Sequence, residues 1–217
     1  MLKNVIKFNF PTLFIFFFIL SLISKTILII LFPGKLGGDT LEYLNIANNI
    51  VSGCGISNSN LEIENCVLTA GGARGPGYPI ILSFLLYFND KSYFHLYLFN
   101  AIVLSFSILY LLYSVRHLFY SKKLLLVSSI VLVLSPLTIG WSRSILTESL
   151  AISLTSIYFG YLLTMMQNKK FNNLNIIILS LIECVSSFVR IELIFLNIIS
   201  LFFFLKNFNF NKLIKKL

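Results

Sequence analysis

The chain is 217 residues long, 57% hydrophobic and only 12% charged, with a formal net charge of +9. Soluble domains average about 25% charged residues, so this much Phe, Leu and Ile cannot be hidden in one water-soluble core. The positive charge does not point to nucleic acid, because the lysines and arginines lie between apolar runs and no basic patch is interleaved with base-stacking aromatics. An integral membrane protein is what remains.

Lys3 and Lys7 precede an apolar run over residues 10–32, long enough for the roughly 20 helical residues that a bilayer core takes. A cleaved signal peptide has a shorter apolar region and a small-residue cleavage site, neither of which is present. An uncleaved first span starting in the cytoplasm is predicted. Lys25 interrupts it; snorkelling outward is the expected arrangement, and pairing inside the bundle is the alternative.

Residues 33–77 form a polar outer loop that holds four of the eight acidic residues, Asp39, Glu42, Glu62 and Glu64, together with Cys54 and Cys66. Asp39 resembles an N-cap for a helix over residues 40–51, so capping and catalysis compete there, and spacing alone favours the cap. The apolar positions of that helix, Leu41, Leu44, Ile46, Ile50 and Val51, are interrupted by Glu42, Asn45, Asn48 and Asn49. It is too polar for hydrocarbon and is predicted to lie along the outer membrane surface. Residues 78–89 read as an interfacial or re-entrant helix, too short to cross.

Residues 93–113 are a second span, followed by the basic connection Arg116, His117, Lys122 and Lys123. A third span covers 124–139, with Pro136 near its outer end. A tight turn from Gly140 to Ser144 leads to a fourth over 145–166. The apolar stretch 174–205 is long for one span and short for two. Two short spans, 174–189 and 191–205, turning near Arg190, return Lys206, Lys212, Lys215 and Lys216 to the cytoplasm.

Eleven basic residues then lie inside (3, 7, 116, 122, 123, 169, 170, 206, 212, 215 and 216), with no acidic residue beside them. The predicted fold is a single all-α transmembrane domain over 1–217, a polytopic bundle of about six spans. Both termini are cytoplasmic, and the long extracytoplasmic first loop carries short interfacial helices.

Arg74, Arg143 and Arg190 lie on the outer face against the topology bias, and all are arginine while the inner face is almost all lysine. A guanidinium binds phosphate or carboxylate bidentately; headgroup contact or a local ion pair is the plainer explanation. Glu148 begins the fourth span, where the helix dipole favours a carboxylate, yet it lies where ionisable groups usually serve a purpose. Glu183, deeper in an apolar segment, is expected to pair with a basic group. A Cys54–Cys66 disulfide is chemically permitted in the outer loop and stays open; Cys184 lies in a span. His95 and His117 have no ligand spacing, so no zinc site is supported. No Walker motif, dinucleotide fingerprint or Gly-x-Ser-x-Gly is present.

After the first span come Gly-Gly-Asp-Thr-Leu-Glu-Tyr-Leu-Asn-Ile-Ala-Asn-Asn-Ile, Ser-Gly-Cys-Gly-Ile-Ser and Arg-Gly-Pro-Gly-Tyr-Pro, then Leu-Ser-Pro and Ser-Arg-Ser-Ile-Leu-Thr-Glu. This order resembles the GT-C membrane glycosyltransferases, in particular the protein O-mannosyltransferase and aminoarabinose-transferase-like group, over most of the chain. Such enzymes move a sugar from a polyprenyl-phosphate carrier to an acceptor on the outer face of the plasma or inner membrane.

The resemblance implies that Asp39 is the catalytic base and that Glu148, which matches the acidic position after the third span, is the second catalytic residue. It also matches residues 74–79, with Arg74 and Tyr78, to the Arg-Pro-x-Tyr-Pro motif of the first loop. Glu42, Tyr43, Arg143 and Arg190 join Arg74 and Tyr78 as candidate substrate-binding residues. The partners implied are a polyprenyl-phosphate-linked sugar and a lipid, glycan or protein acceptor. No cofactor or protein-held metal is assigned, although a diphosphate carrier would more often call for a divalent ion. Family members continue for several more spans, so the match is to their N-terminal part. The competing classes are a lipid or sugar transporter and a non-catalytic membrane scaffold or fragment.

Overall fold

A computed structural model describes residues 10–34, 36, 38–57, 75–88, 93–168 and 172–207. Among them the chain is helical, without strands. In order come α1 (Phe10–Leu31), α2 (Asp39–Val51), α3 (Gly77–Phe88), α4 (Phe94–Val115), α5 (Lys122–Val133), α6 (Pro136–Ser142), α7 (Thr147–Asn168), α8 (Asn173–Val189) and α9 (Phe195–Asn207). Short 3₁₀ turns cover Arg116–Leu118 and Ile191–Ile194.

Among the described residues, four segments are long and apolar enough to cross a bilayer: Pro11–Leu31, Phe94–Leu118, Lys122–Ser142 and Thr147–Asn168. Helix α8 has 17 residues and α9 has 13, so length marks four spanning segments rather than six.

Helices α4 and α7 are the central pair, with half of each span buried inside the protein, against 22% for α1 and for the α5–α6 segment. Gly160 of α7 lets them approach, since a Cβ there would come 2.8 Å from the Tyr110 ring. Lower down, Gln167 donates to the Ser114 carbonyl at 2.8 Å, and the Thr164 hydroxyl bonds that of Ser114 at 3.2 Å. The apolar core divides into three clusters. Phe17, Leu104, Ile108 and Val133 join α1, α4 and α5. Tyr158, Leu162, Leu179 and Leu196 join α7, α8 and α9. Ile29, Tyr43, Tyr78, Leu96, Ile145 and Val189 gather at the end where α1 finishes and α4 and α7 begin.

The segment read as one span over 124–139 is broken. Proline disfavours helical geometry in the residue before it, and Ser135 is accordingly at φ −59°, ψ 129°. Pro136 then opens α6, where its missing N–H costs nothing. The Thr138 hydroxyl donates to the Leu132 carbonyl (3.3 Å), which the break releases, and to that of Ser135 (2.9 Å), which also accepts from the Ile139 N–H. The tight turn placed at 140–144 is also shifted, because Gly140, Trp141 and Ser142 close α6 and the turn begins at Arg143.

Lys25 does not snorkel. It is fully buried, with Nζ donating to Ser21 Oγ at 2.5 Å, and Ser21 is bonded in turn to Ser105 of α4 at 2.7 Å. Side chains on a helix lean toward its N-terminus. The lysine stem therefore runs down to Ser21, away from the nearer end of α1. Glu183 likewise makes no ion pair among the described residues; it accepts a hydrogen bond from Ser200 of α9.

Candidate functional site at the Arg143 end of the bundle

Glycines and short polar contacts draw several elements together at one end. Any Cβ on Gly34, just past α1, would fall 1.7 Å from the Arg143 carbonyl oxygen, so only glycine permits that approach. The Tyr97 hydroxyl donates to the Gly34 carbonyl at 3.3 Å, and Asn100 Nδ2 donates to the Ser144 carbonyl at 2.8 Å. The end of α1, the top of α4 and the α6–α7 turn are thus tied.

The start of α3 lies against the end of α8. A Cβ on Gly75 would meet the Phe188 carbonyl oxygen at 2.9 Å, and one on Gly77 would meet Phe188 C at 2.7 Å. Tyr78 follows at once, fully buried, with its ring edge-on to Tyr43 of α2 at 5.2 Å. Burial pushes the Tyr78 phenol well above its usual range, with Asn100 opposing and the neighbouring Tyr43 and Glu148 reinforcing the shift.

Beyond Val189 the chain leaves the helix. Arg190 is extended (φ −150°, ψ 117°), and its Nη1 reaches Glu148 Oε1 at 3.3 Å while Nε reaches Glu192 Oε2 at 3.2 Å. The Arg190 and Glu148 side chains are 37% and 27% exposed. Such a pair contributes about 0–1 kcal/mol, too little to be its own reason for being there. Arg143 sits at the C-terminus of α6 with its guanidinium 5.8 Å from the Phe32 ring centre.

Buried polar atoms are almost always hydrogen-bonded, and the deeper serines obey this: Ser107, Ser129, Ser153 and Ser186 each donate to a carbonyl one turn back. The buried side-chain atoms lacking a partner among the described residues are the Tyr78 hydroxyl, both His95 nitrogens, Arg143 Nε, Glu148 Oε2 and Ser149 Oγ. All six lie in the first turn of α3, α4 or α7, or at the α6–α7 turn. Two cations, the carboxylates of Glu148 and Glu192 and several unused donors therefore share one end of the bundle. An anion with further oxygens suits that set.

Of the residues singled out from sequence, Tyr78, Arg143, Glu148 and Arg190 belong to this end, and Tyr43 reaches it through Tyr78. Asp39 is exposed and is the first residue of α2, and Gly38 takes the cap position at φ 52°. It therefore does not have the N-cap place that spacing favoured. It lies one helical turn before Tyr43, as Glu42 lies beside it. Arg74 lies outside the described residues. Cys54 is disulfide-bonded, and its expected partner Cys66 also lies outside them. Among the described residues no three His, Cys, Asp or Glu side chains converge to hold a metal.

Sequence reasoning missed His95, Tyr97, Asn100 and Ser149. Asn100 carried a usable signal, a polar amide two turns into an apolar span, which demands a partner. The chain matches no protein-family model, no curated protein and no solved structure.

Proposed function

We propose that the chain is a membrane glycosyltransferase, or the catalytic part of one, moving a sugar from a polyprenyl-phosphate carrier to an acceptor hydroxyl on the extracytoplasmic face. The observation that supports this best is the gathering of Arg143, Arg190, Glu148 and unpartnered buried donors at one end of an otherwise apolar, internally satisfied bundle. Phosphate is a good leaving group and needs little general-acid help. What the reaction needs is cations for the charge developing on the phosphate and a carboxylate for the acceptor's proton. Arg143 and Arg190 supply the first, and Asp39 supplies the second from the exposed start of α2. Glu148 holds Arg190 until the phosphate takes its place. Apolar helix faces receive the prenyl tail.

In this reading α8 and the segment after Arg190 are the fifth and sixth crossings. At 17 residues α8 spans roughly 26 Å, the lower limit for a bilayer core. The Arg143 end then faces outside.

The test is transfer from a polyprenyl-phosphate-linked sugar by the complete protein in vesicles. Asp39→Asn keeps the shape and removes the proton-accepting charge, so transfer is expected to fall about a hundred- to ten-thousand-fold. Near-normal transfer by Asp39→Asn would remove Asp39 from the chemistry. One observation favours a transporter instead, the buried Lys25 amine with its serine partners, because intramembrane ionisable groups often mark transport pathways.

A further inference from the structure

Below the Arg143 end, three helices meet at a buried polar network that the proposed chemistry does not use. Glu183 of α8 accepts from the Ser200 hydroxyl of α9. Ser200 Oγ lies 2.8 Å from the Tyr158 hydroxyl of α7, whose single proton is shared between Ser200 and the Leu196 carbonyl of α9 at 3.1 Å. Tyr158 is fully buried, Ser200 is 4% exposed and Glu183 is 6% exposed. Leu179, Leu193 and Leu196 pack around the group. Apolar contact alone would hold these helices together, and an acid among them adds direction rather than strength.

The direction matters because of what lies above. Glu148 is ten residues up α7 from Tyr158, and Arg190 is seven residues along α8 from Glu183, roughly 15 and 10 Å of helix. Between α8 and α9 the chain is broken: Arg190 is extended and only a 3₁₀ turn links it to α9. A partly exposed ion pair is a weak tether for such a break. The network ties α9 directly, and α8 through Ser200, to the helix that carries Glu148.

We propose that Glu183, Ser200 and Tyr158 are positioning residues, whose hydrogen bonds hold the break between α8 and α9 against α7 and so set Arg190 opposite Glu148. The purpose of that placement rests on the phosphate-binding reading above, whereas its geometry can be measured without it.

The experiment uses the full chain in vesicles, with Cys184 replaced by Ser and a cysteine pair introduced as Glu148→Cys and Arg190→Cys. A short bifunctional thiol reagent reports how often the two positions meet. Efficient crosslinking is expected although the ion pair itself is gone. Adding Ser200→Ala or Tyr158→Phe is expected to slow crosslinking by up to about fivefold, the change in equilibrium constant that loss of one typical buried hydrogen bond produces. Glu183→Gln, which keeps an acceptor oxygen for Ser200, is expected to retain it. Val133→Ala, an apolar truncation in the α1–α4–α5 cluster away from the network, is the control and is expected to leave the rate within about twofold.

Equal rates with and without the network would overturn the proposal. So would an equal loss in Val133→Ala, which would mean general loosening. Binding of a polyprenyl monophosphate to the chain without the cysteine pair is measured alongside. Its absence, with crosslinking still dependent on the network, would count against the phosphate reading and leave the positioning role standing.

Discussion

At the scale of single residues, Gly34 and Lys25 show the two ways a side chain is constrained here. Gly34 is required by space, because a Cβ would sit 1.7 Å from a backbone oxygen that cannot swing away. Gly34→Ala is expected to destabilise the fold by about 1–3 kcal/mol, read as a lowered unfolding temperature in detergent. Gly140→Ala is the contrast: nothing lies within 4 Å of that Cβ, and alanine favours the helix, so stability should hold or rise by up to about 1 kcal/mol. Equal losses at both sites would mean that the α1 end does not meet the α6–α7 turn. Lys25 is constrained by polarity instead, with one serine partner in an apolar interior. Exchanging a buried, poorly compensated charge for an apolar side chain of similar length is often neutral or stabilising. Lys25→Met is therefore expected to keep stability and sugar transfer. A stable Lys25→Met variant without sugar transfer would mean that the buried amine takes part in the activity.

At the scale of elements, the apolar runs were legible because a helix can satisfy its own backbone in lipid and little else can. Length and composition alone therefore carried the all-helical class and the four long segments. The break before Pro136 was signalled by the proline, but a residue near the end of an apolar run reads equally well as a late kink. The inward turn of Lys25 depended on Ser105, 80 residues away and visible only once α4 packs on α1. Asp39 looked like a cap because a carboxylate just before a helix over 40–51 can satisfy its free N–H groups, yet Gly38 takes the cap position with positive φ. Helix α2 buries Tyr43, Leu44 and Ala47 while Leu41 and Asn48 stay exposed, as suits a helix lying on a surface. In a chain with Cys184 replaced, a cysteine at position 48 is expected to react from outside with an impermeant thiol reagent, and one at position 169 only after the membrane is opened. Labelling of position 169 from outside would reverse the proposed topology.

At the scale of the whole molecule, charge and polarity divide the bundle. Its deeper hydroxyls are satisfied within their own helices or across to a neighbour, while the unpartnered buried atoms collect at the Arg143 end. The candidate site was legible residue by residue, as outer arginines and carboxylates. Its grouping was not, because Glu148 and Arg190 are 42 residues apart and meet only through the packing of α7 against α8. If that end is built for a lipid-linked phosphate, the phosphate should be recognised apart from its tail. Binding of a polyprenyl monophosphate and of the matching polyprenyl alcohol to the complete protein, before and after Arg143→Lys, measures this. The phosphate form is expected to bind more tightly than the alcohol, and Arg143→Lys, which keeps the charge and loses the fork, to weaken it about tenfold. Equal binding of phosphate and alcohol, unchanged by Arg143→Lys, would contradict a phosphate site at this end of the bundle.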